Sequence, residues 1–295
     1  MGNIYQIADG NWLLWRSWSV VGTRTSVPET RIPLQILSWF CEYALRLQST
    51  HGAIAFDGPD NFRYDIYKDY KGSRSSEGGG HTEVVKSGPF QGMTAADAVY
   101  SLLPITVKLF QSVGILTVIS ARHEADDCLS SAGARFGVQS NHVYLVTRDK
   151  DMIQCINERV SVYIPPMQQK PEIMLNVKST PTLKKGLSPR QFLDYQILMG
   201  DPVDDVPSVS AVNERQVLGI LKTHGSLASY FKTKEGRAFY DLRATELHRN
   251  KDLVGLSKKV PMPDSKEMSF RHLRGSAESR SFTALRDLQK KSSLW

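Results

Sequence analysis

Apolar residues gather in five short runs, each stopping at a turn or leading to an acidic cluster. Ile4-Tyr5-Gln6-Ile7-Ala8 stops at Asp9-Gly10, and Ala53-Ile54-Ala55-Phe56 at Asp57-Gly58-Pro59. Ile115-Leu116-Thr117-Val118-Ile119 leads to Glu124-Ala125-Asp126-Asp127, and His142-Val143-Tyr144-Leu145-Val146-Thr147 to Arg148-Asp149-Lys150-Asp151. Val160-Ser161-Val162-Tyr163-Ile164 runs into Pro165-Pro166. Short runs rich in β-branched residues and closed by turn chemistry predict strands. Between them the spacing changes. Residues 33–49 put Leu34, Leu37, Phe40, Cys41, Ala44 and Leu45 at helical intervals, with Pro33 in the first turn. A helix is predicted near 95–112 with Pro104 interrupting it, and a buried helix over Cys128–Ala132 behind the acids. Ser188 caps a helix that runs from Pro189 to Gly200. Glu214–His224 reads as a short helix, Gly225-Ser226-Leu227 starts another, and 234–258 is partly amphipathic. Strands alternating with helices predict an α/β fold, a mostly parallel central sheet flanked by helices.

Composition and charge refine this picture. The 295 residues are 41% hydrophobic and 23% charged, as in a soluble globular protein, with a net charge of +7. A basic balance beside clustered acids points to a protein that attracts a polyanion while keeping an acidic pocket. Cys41, Cys128 and Cys155 lie in apolar segments with no metal-ligand spacing, so they read as reduced core residues of an intracellular protein. Trp12-Leu13-Leu14-Trp15, followed by Arg16, is too short to span a membrane, and no membrane partner is expected. Ser75 to Gly92, rich in Gly and Ser without apolar period, is expected to be mobile. Met167–Gly186 reads as a linker or hairpin, and 264–295 as a polar, basic tail in which Leu285, Leu288, Leu294 and Trp295 can dock.

The chemistry lies in the acids. Strands that end in acidic turns put those acids along one edge of a sheet, where the ligand crevice of an open α/β sheet forms. A single strand-end Asp is ordinary turn chemistry, and acids in a helix's first turn favour the dipole. Repeated at four strands, and again at Asp201-Pro202-Val203-Asp204-Asp205, the pattern is harder to dismiss. Adjacent carboxylates repel unless something positive lies between them. Carboxylates without His or Cys suit magnesium or manganese, and two such ions are suited to phosphodiester cleavage. The stretch Phe62-Arg63-Tyr64-Asp65-Ile66-Tyr67-Lys68-Asp69-Tyr70-Lys71-Gly72-Ser73-Arg74 interleaves aromatics with bases, as contact with nucleic acid requires. No nucleophile motif surrounds the histidines, and no phosphate-binding G-x-x-x-x-G-K-[ST] loop occurs.

In order and spacing these pieces resemble the 5′-nuclease family: the flap endonucleases and the 5′→3′ exonuclease domain of bacterial DNA polymerase I. The resemblance rests on Asp9-Gly10, Phe56-Asp57, Phe62-Arg63, Tyr70-Lys71-Gly72-Ser73-Arg74, Glu124-Ala125-Asp126-Asp127, Asp149-Lys150-Asp151 and the Asp194–Pro207 stretch, and spans roughly residues 4–225. It implies metal-dependent cleavage at DNA 5′ ends and flaps, extending to RNA primers in RNA–DNA hybrids, by a monomer holding two or more Mg2+ or Mn2+ ions. Asp9, Asp57, Glu124 and Asp126 match the acids of one metal site. Asp127, Asp149, Asp151, Asp201 and Asp204 match a second, Asp149 and Asp201 being those whose loss abolishes cleavage. Lys71 and Arg74 match bases that reach the scissile phosphate from the foot of a helical arch, about 70–105. Arg63, Tyr70, Asn213 and Arg215 are the further expected DNA contacts.

Residues 1–205 then form the nuclease core, and 206–295 a helical DNA-binding region with its tail. The family's helix–hairpin–helix, G-V-x-G-I-G-x-K-T-A, is replaced by Ser208-Val209-Ser210-Ala211-Val212-Asn213-Glu214-Arg215-Gln216-Val217. Every glycine is gone, and Asn213 is the expected left-handed residue. With no polymerase domain following, a stand-alone enzyme of the phage type is expected. The rival is a catalytically weak DNA-binding replication factor of the same fold, against which the presence of all nine acids argues.

Overall fold

The computed structural model describes residues 2–75, 81–183, 185–270 and 290. Six strands, β1 (Ile4–Asp9), β2 (His51–Phe56), β3 (Leu116–Ile119), β4 (His142–Val146), β5 (Val160–Ile164) and β6 (Ile173–Leu175), form one sheet in the order β3-β2-β1-β4-β5-β6. Pairings from β3 through β5 are parallel, and β6 joins the edge antiparallel. The helices are α1 (Gly10–Val21), α2 (Pro28–Arg46), α3 (Arg63–Ile66), α4 (Ala95–Ser101), α5 (Leu103–Ser112), α6 (Ala125–Phe136), α7 (Thr180–Leu183), α8 (Pro189–Met199), α9 (Glu214–His224), α10 (Leu227–Tyr230) and α11 (Lys234–Val254). The α/β fold with a mostly parallel sheet is therefore the one the alternation predicts.

Both faces of the sheet are buried, which is why its strands read as apolar runs. Side chains alternate across it: Ala8, Ile54, Phe56 and Val146 pack on α1, α2 and α5. Tyr5, Ile7, Ala53, Ala55, Val143 and Leu145 pack on α6 and the 3-10 turn Lys150–Cys155. A third apolar cluster joins Leu198 of α8 to Val217 and Leu221 of α9, Leu227 of α10 and Leu247 of α11, and takes in Tyr70. Cys41, Cys128 and Cys155 are buried and free, as expected. Among the described residues no helix is long and apolar enough to cross a membrane.

Several local expectations change. Helix α1 was missed, although Gly10, Leu13, Leu14 and Ser17 bury one face at helical spacing. Helix α2 starts at Pro28 rather than Pro33, because Pro28 already provides the favoured first-turn proline, and Pro33 lies inside it. The 95–112 stretch is interrupted as expected, into two helices that meet at Leu102, just ahead of Pro104. Within the expected mobile stretch, residues 76–80 lie outside the described ones. The rest folds into a turn in which Val85 donates to Met93 O at 2.9 Å and Ala95 to Glu83 O at 2.8 Å, while Phe90 packs on Trp18. The described part of the 70–105 segment is a short 3-10 turn, this bridged turn, α4 and the start of α5. Gly88, Pro89 and Gly92 disfavour a helix there. The docking positions Leu285, Leu288, Leu294 and Trp295 lie outside the described residues.

The loops after β2 and β3 are zipped together, which fixes where Asp57 points. Gly58 N–H donates to His123 O at 2.9 Å and Phe62 N–H to Arg122 O at 3.2 Å. A Cβ at Gly58 would lie 1.9 Å from Ser120 O, so the approach admits no side chain. Gly58→Ala is expected to lower unfolding free energy by about 1–3 kcal/mol, the range for forced overpacking, measured by urea denaturation against wild type. A midpoint equal to wild type would show that the loops part freely.

Candidate active site

Strand β1 is flanked by β2 on one side and β4 on the other, and the chain then builds outward in both directions. The loops leaving β1 and β4 diverge at this point and open a crevice. Asp9 ends β1 and caps α1, accepting Trp12 N–H at 2.9 Å and the Thr147 hydroxyl at 2.8 Å. Asp57 follows β2 and accepts the N–H of Ala125, the first residue of α6, at 2.8 Å. Asn11 clasps it from the other side, its amide donating to Asp57 Oδ2 while its Oδ1 accepts Asp57 N–H at 3.0 Å. Glu124 caps α6, and Asp149 caps the 3-10 turn, accepting Asp151 N–H at 2.7 Å. That turn brings Asp149 and Asp151 together.

Asp9, Asp57, Glu124, Asp126 and Asp149 line one cavity of about 170 Å³, with Lys71 and Arg74 in its wall and the rings of Trp12, Trp15, His81 and Tyr100 around it. Asp151, Asp201 and Asp204 form a second group, whose carboxylate oxygens lie within 4.8 Å of one another. Asp149 lies electrostatically between the groups, interacting with Asp9 and Asp126 on one side and Asp201 and Asp204 on the other.

Burial and crowding make these acids reluctant to ionise. Burial pushes Asp9 up to about 7, against the pull of the Trp12 and Thr147 hydrogen bonds, and the charges of Asp57 and Asp149 add to it. Burial likewise raises Asp126 and Asp151 well above the usual carboxylate range, helped in both by the charge of Asp149. Asp57 and Asp149 are raised by burial too. Glu124 goes the other way: burial opposes its charge, but Lys71 and Arg63 outweigh it. Three cations offset the repulsion. Lys71 pairs with Glu124 and lies 3.8 Å from Asp204, Arg74 lies 2.5 Å from Asp204, and Lys150 lies 2.6 Å from Asp201.

The donor set fits hard divalent ions. All the donors are carboxylate oxygens, and the trio is close enough for one ion to touch three of them. The raised acids are those a dication would bring back to their charged form. Lys150 already places a positive charge on Asp201, as a cation bound there would.

Four expectations need correction. Asp127 does not join either group: its carboxylate is wholly buried and faces Arg63, accepting from Nη1 at 2.8 Å and Nη2 at 3.0 Å, with Ser257 N–H at 2.7 Å. Arg63, expected on DNA, is 1% exposed and spends its remaining N–H groups on Leu253 O, Gly255 O and Glu124. Tyr70 is also buried, its hydroxyl in reach of Glu124 at 2.9 Å and Asp204 at 3.2 Å, so it supports acids rather than meeting DNA. Asn213 is extended, because it caps α9 by accepting Gln216 N–H at 3.0 Å; the left-handed residue is Ala211, with φ 57°. Arg215 is exposed on α9.

Residues 5–181 match the family described as the 5′–3′ exonuclease, N-terminal resolvase-like domain. The chain belongs to the 5′–3′ exonuclease family. It is 31% identical over 231 residues to DNA polymerase I of Lactococcus lactis subsp. cremoris, covering 75% of this chain and 23% of that protein. It is 26% identical over 266 residues to DNA polymerase I of Mycobacterium bovis, covering 87% and 27%. This family member thus spans about a quarter of the length of the curated relatives it matches. Among solved structures it resembles the D15 protein of bacteriophage T5 co-crystallised with metal ions, with a TM-score of 0.66 at 17% identity over 99% of both chains, a likeness of fold.

Asn11, Thr147 and Lys150 touch the acids and were passed over, though each lies within two residues of a predicted acid, which was the available signal. The Arg63–Asp127 pair tests the correction directly. Arg63→Met leaves a buried carboxylate without its cation and is expected to remove about 3–5 kcal/mol of stability, read by urea unfolding, while Arg63→Met with Asp127→Leu recovers most of it. A single variant as stable as wild type would show that Asp127 is not held by Arg63.

Proposed function

We propose that this exonuclease-family chain is a divalent-metal-dependent, structure-specific 5′-nuclease acting on DNA 5′ ends and flaps. The observation that carries this reading is the cavity in which five carboxylates share space with Lys71 and Arg74 at the carboxyl edge of the sheet. Asp9, Asp57, Glu124 and Asp126 would hold one ion and Asp151, Asp201 and Asp204 a second, with Asp149 placed between the two groups. Oxygen-only ligation favours Mg2+ or Mn2+. Bound divalent ions supply positive charge to the attacking water and the leaving oxygen of an in-line displacement.

The protein's own groups do the rest. Lys71 and Arg74 bind the nonbridging oxygens of the scissile phosphate and offset charge as it builds. Tyr70 and Arg63 hold Glu124 in place. Exposed Arg215 and Asn213, beside the Ala211 turn, meet the duplex backbone. These contacts are to phosphate, so the 5′ end of an RNA primer paired to DNA is also accepted. One T5 D15 structure is a pseudo-enzyme-product complex with DNA and metal ions, which supports the same substrate class here.

A 5′-flap duplex labelled at either end, incubated with Mg2+ and then with EDTA, tests the reading. Products near the junction or stepwise from the 5′ end, lost in EDTA, are expected. Tight flap binding in Mg2+ without any product would overturn it in favour of a DNA-binding factor of this fold. Asp149→Ala, Asp201→Ala and Lys71→Ala should each lower single-turnover cleavage by at least ~10²-fold, the scale for losing a preorganised charge, while flap binding in Ca2+ stays measurable. Unchanged turnover in any one of them removes that residue from the site.

A further inference from the structure

Gln196 lies on α8, five residues before Asp201, and points into the protein. Its side chain is 3% exposed, and its Nε2 donates to Asp151 Oδ1 at 2.6 Å. Its Oε1 is buried and has no hydrogen-bond partner among the described residues. An unmatched buried carbonyl is unfavourable. What holds the amide in this orientation is therefore its bond to the carboxylate, since a flipped amide would set oxygen against oxygen. Such a bond strengthens when the carboxylate is ionised.

The other two acids of the trio are held differently. Lys150 lies on Asp201 at 2.6 Å and Arg74 on Asp204 at 2.5 Å. A cation there competes with a divalent ion for the same oxygens. A neutral amide does not: it takes one oxygen of Asp151 and leaves Oδ2 to turn elsewhere. The same helix delivers Asp201 through Gly200, whose φ of 66° is a conformation that glycine adopts easily. Donor and neighbouring acid thus lie five residues apart, one in the helix and one just beyond its end.

We propose that Gln196 is a positioning residue for the second ion site, aiming the open oxygen of Asp151 at the point shared with Asp201 and Asp204. The inference rests on reading those three acids as ion ligands. Hydrogen-bond partners of ligating groups typically contribute 10–100-fold to metal affinity.

The test is Mn2+ binding to the full chain without DNA, with free Mn2+ followed by electron paramagnetic resonance. It compares wild type, Gln196→Met, Asp151→Asn and the double variant. Methionine keeps the volume and removes the donor. The expected result is one class of Mn2+ sites weakened ~10–100-fold by Q196M, with the double variant no weaker than D151N alone. In cleavage, Q196M should raise the Mg2+ concentration for half-maximal rate by the same factor while kcat at saturating Mg2+ stays within about threefold. Wild-type Mn2+ binding in Q196M, with binding lost in D151N, overturns the role of Gln196. Wild-type binding in D151N overturns the ion site beneath it. Should Q196M fail to fold, Gln196→Asn, which keeps the amide but falls short of Asp151, makes the same comparison.

Discussion

The mutual repulsion of carboxylates at the carboxyl edge of the sheet is the constraint to which the rest of the molecule answers. Parallel strands all end on the same side, so acids placed just after them must converge. Burial sharpens the conflict, raising Asp9, Asp126 and Asp151 out of the ordinary carboxylate range. The protein meets it with positive charge brought from elsewhere in the chain: Lys71 and Arg74 from the segment after α3, and Lys150 from between two of the acids. An arrangement that leaves several buried acids short of full ionisation is suited to divalent cations.

A second layer of buried contacts ties this edge to the C-terminal helices. Arg63 uses its guanidinium to join Asp127 at the start of α6 with the carbonyls of Leu253 and Gly255 at the end of α11. Asp127 in turn accepts Ser257 N–H. A buried charge pair adds little over an apolar contact of the same size, but breaking one half is costly. The pair therefore specifies how the C-terminal segment meets the core. Tyr70 makes a similar link at the cavity, joining Glu124 to Asp204 across elements far apart in the chain. Asp205 extends it, accepting the N–H and hydroxyl of Ser73.

The residues missing from the sequence reading share a physical reason. Helix α1 hides behind four consecutive apolar residues, Trp12 to Trp15, whose periodicity shows only when Gly10 and Ser17 are counted as buried. Strand β6 realises the hairpin alternative for 167–186, but it is three residues long at an edge, where alternation is too short to place it. Gln196 reads as an ordinary polar residue on a helix, because its partner lies 45 positions away. The left-handed step of the glycine-free hairpin falls on Ala211 instead of Asn213, whose side chain is engaged in capping α9.

By itself, the chain's pattern of short apolar runs, most of them closed by acids, determined the first five strands, the α/β class, the edge where chemistry gathers and the oxygen-only character of its donors. Those properties follow from local periodicity and residue chemistry. Tertiary structure alone decided which acids face one another. Asp126 and Asp127 are neighbours in sequence with the same chemistry, but one helical step turns the side chain by about 100°. That rotation sends Asp126 into the cavity and Asp127 onto Arg63, a partner 64 residues away that no local pattern names.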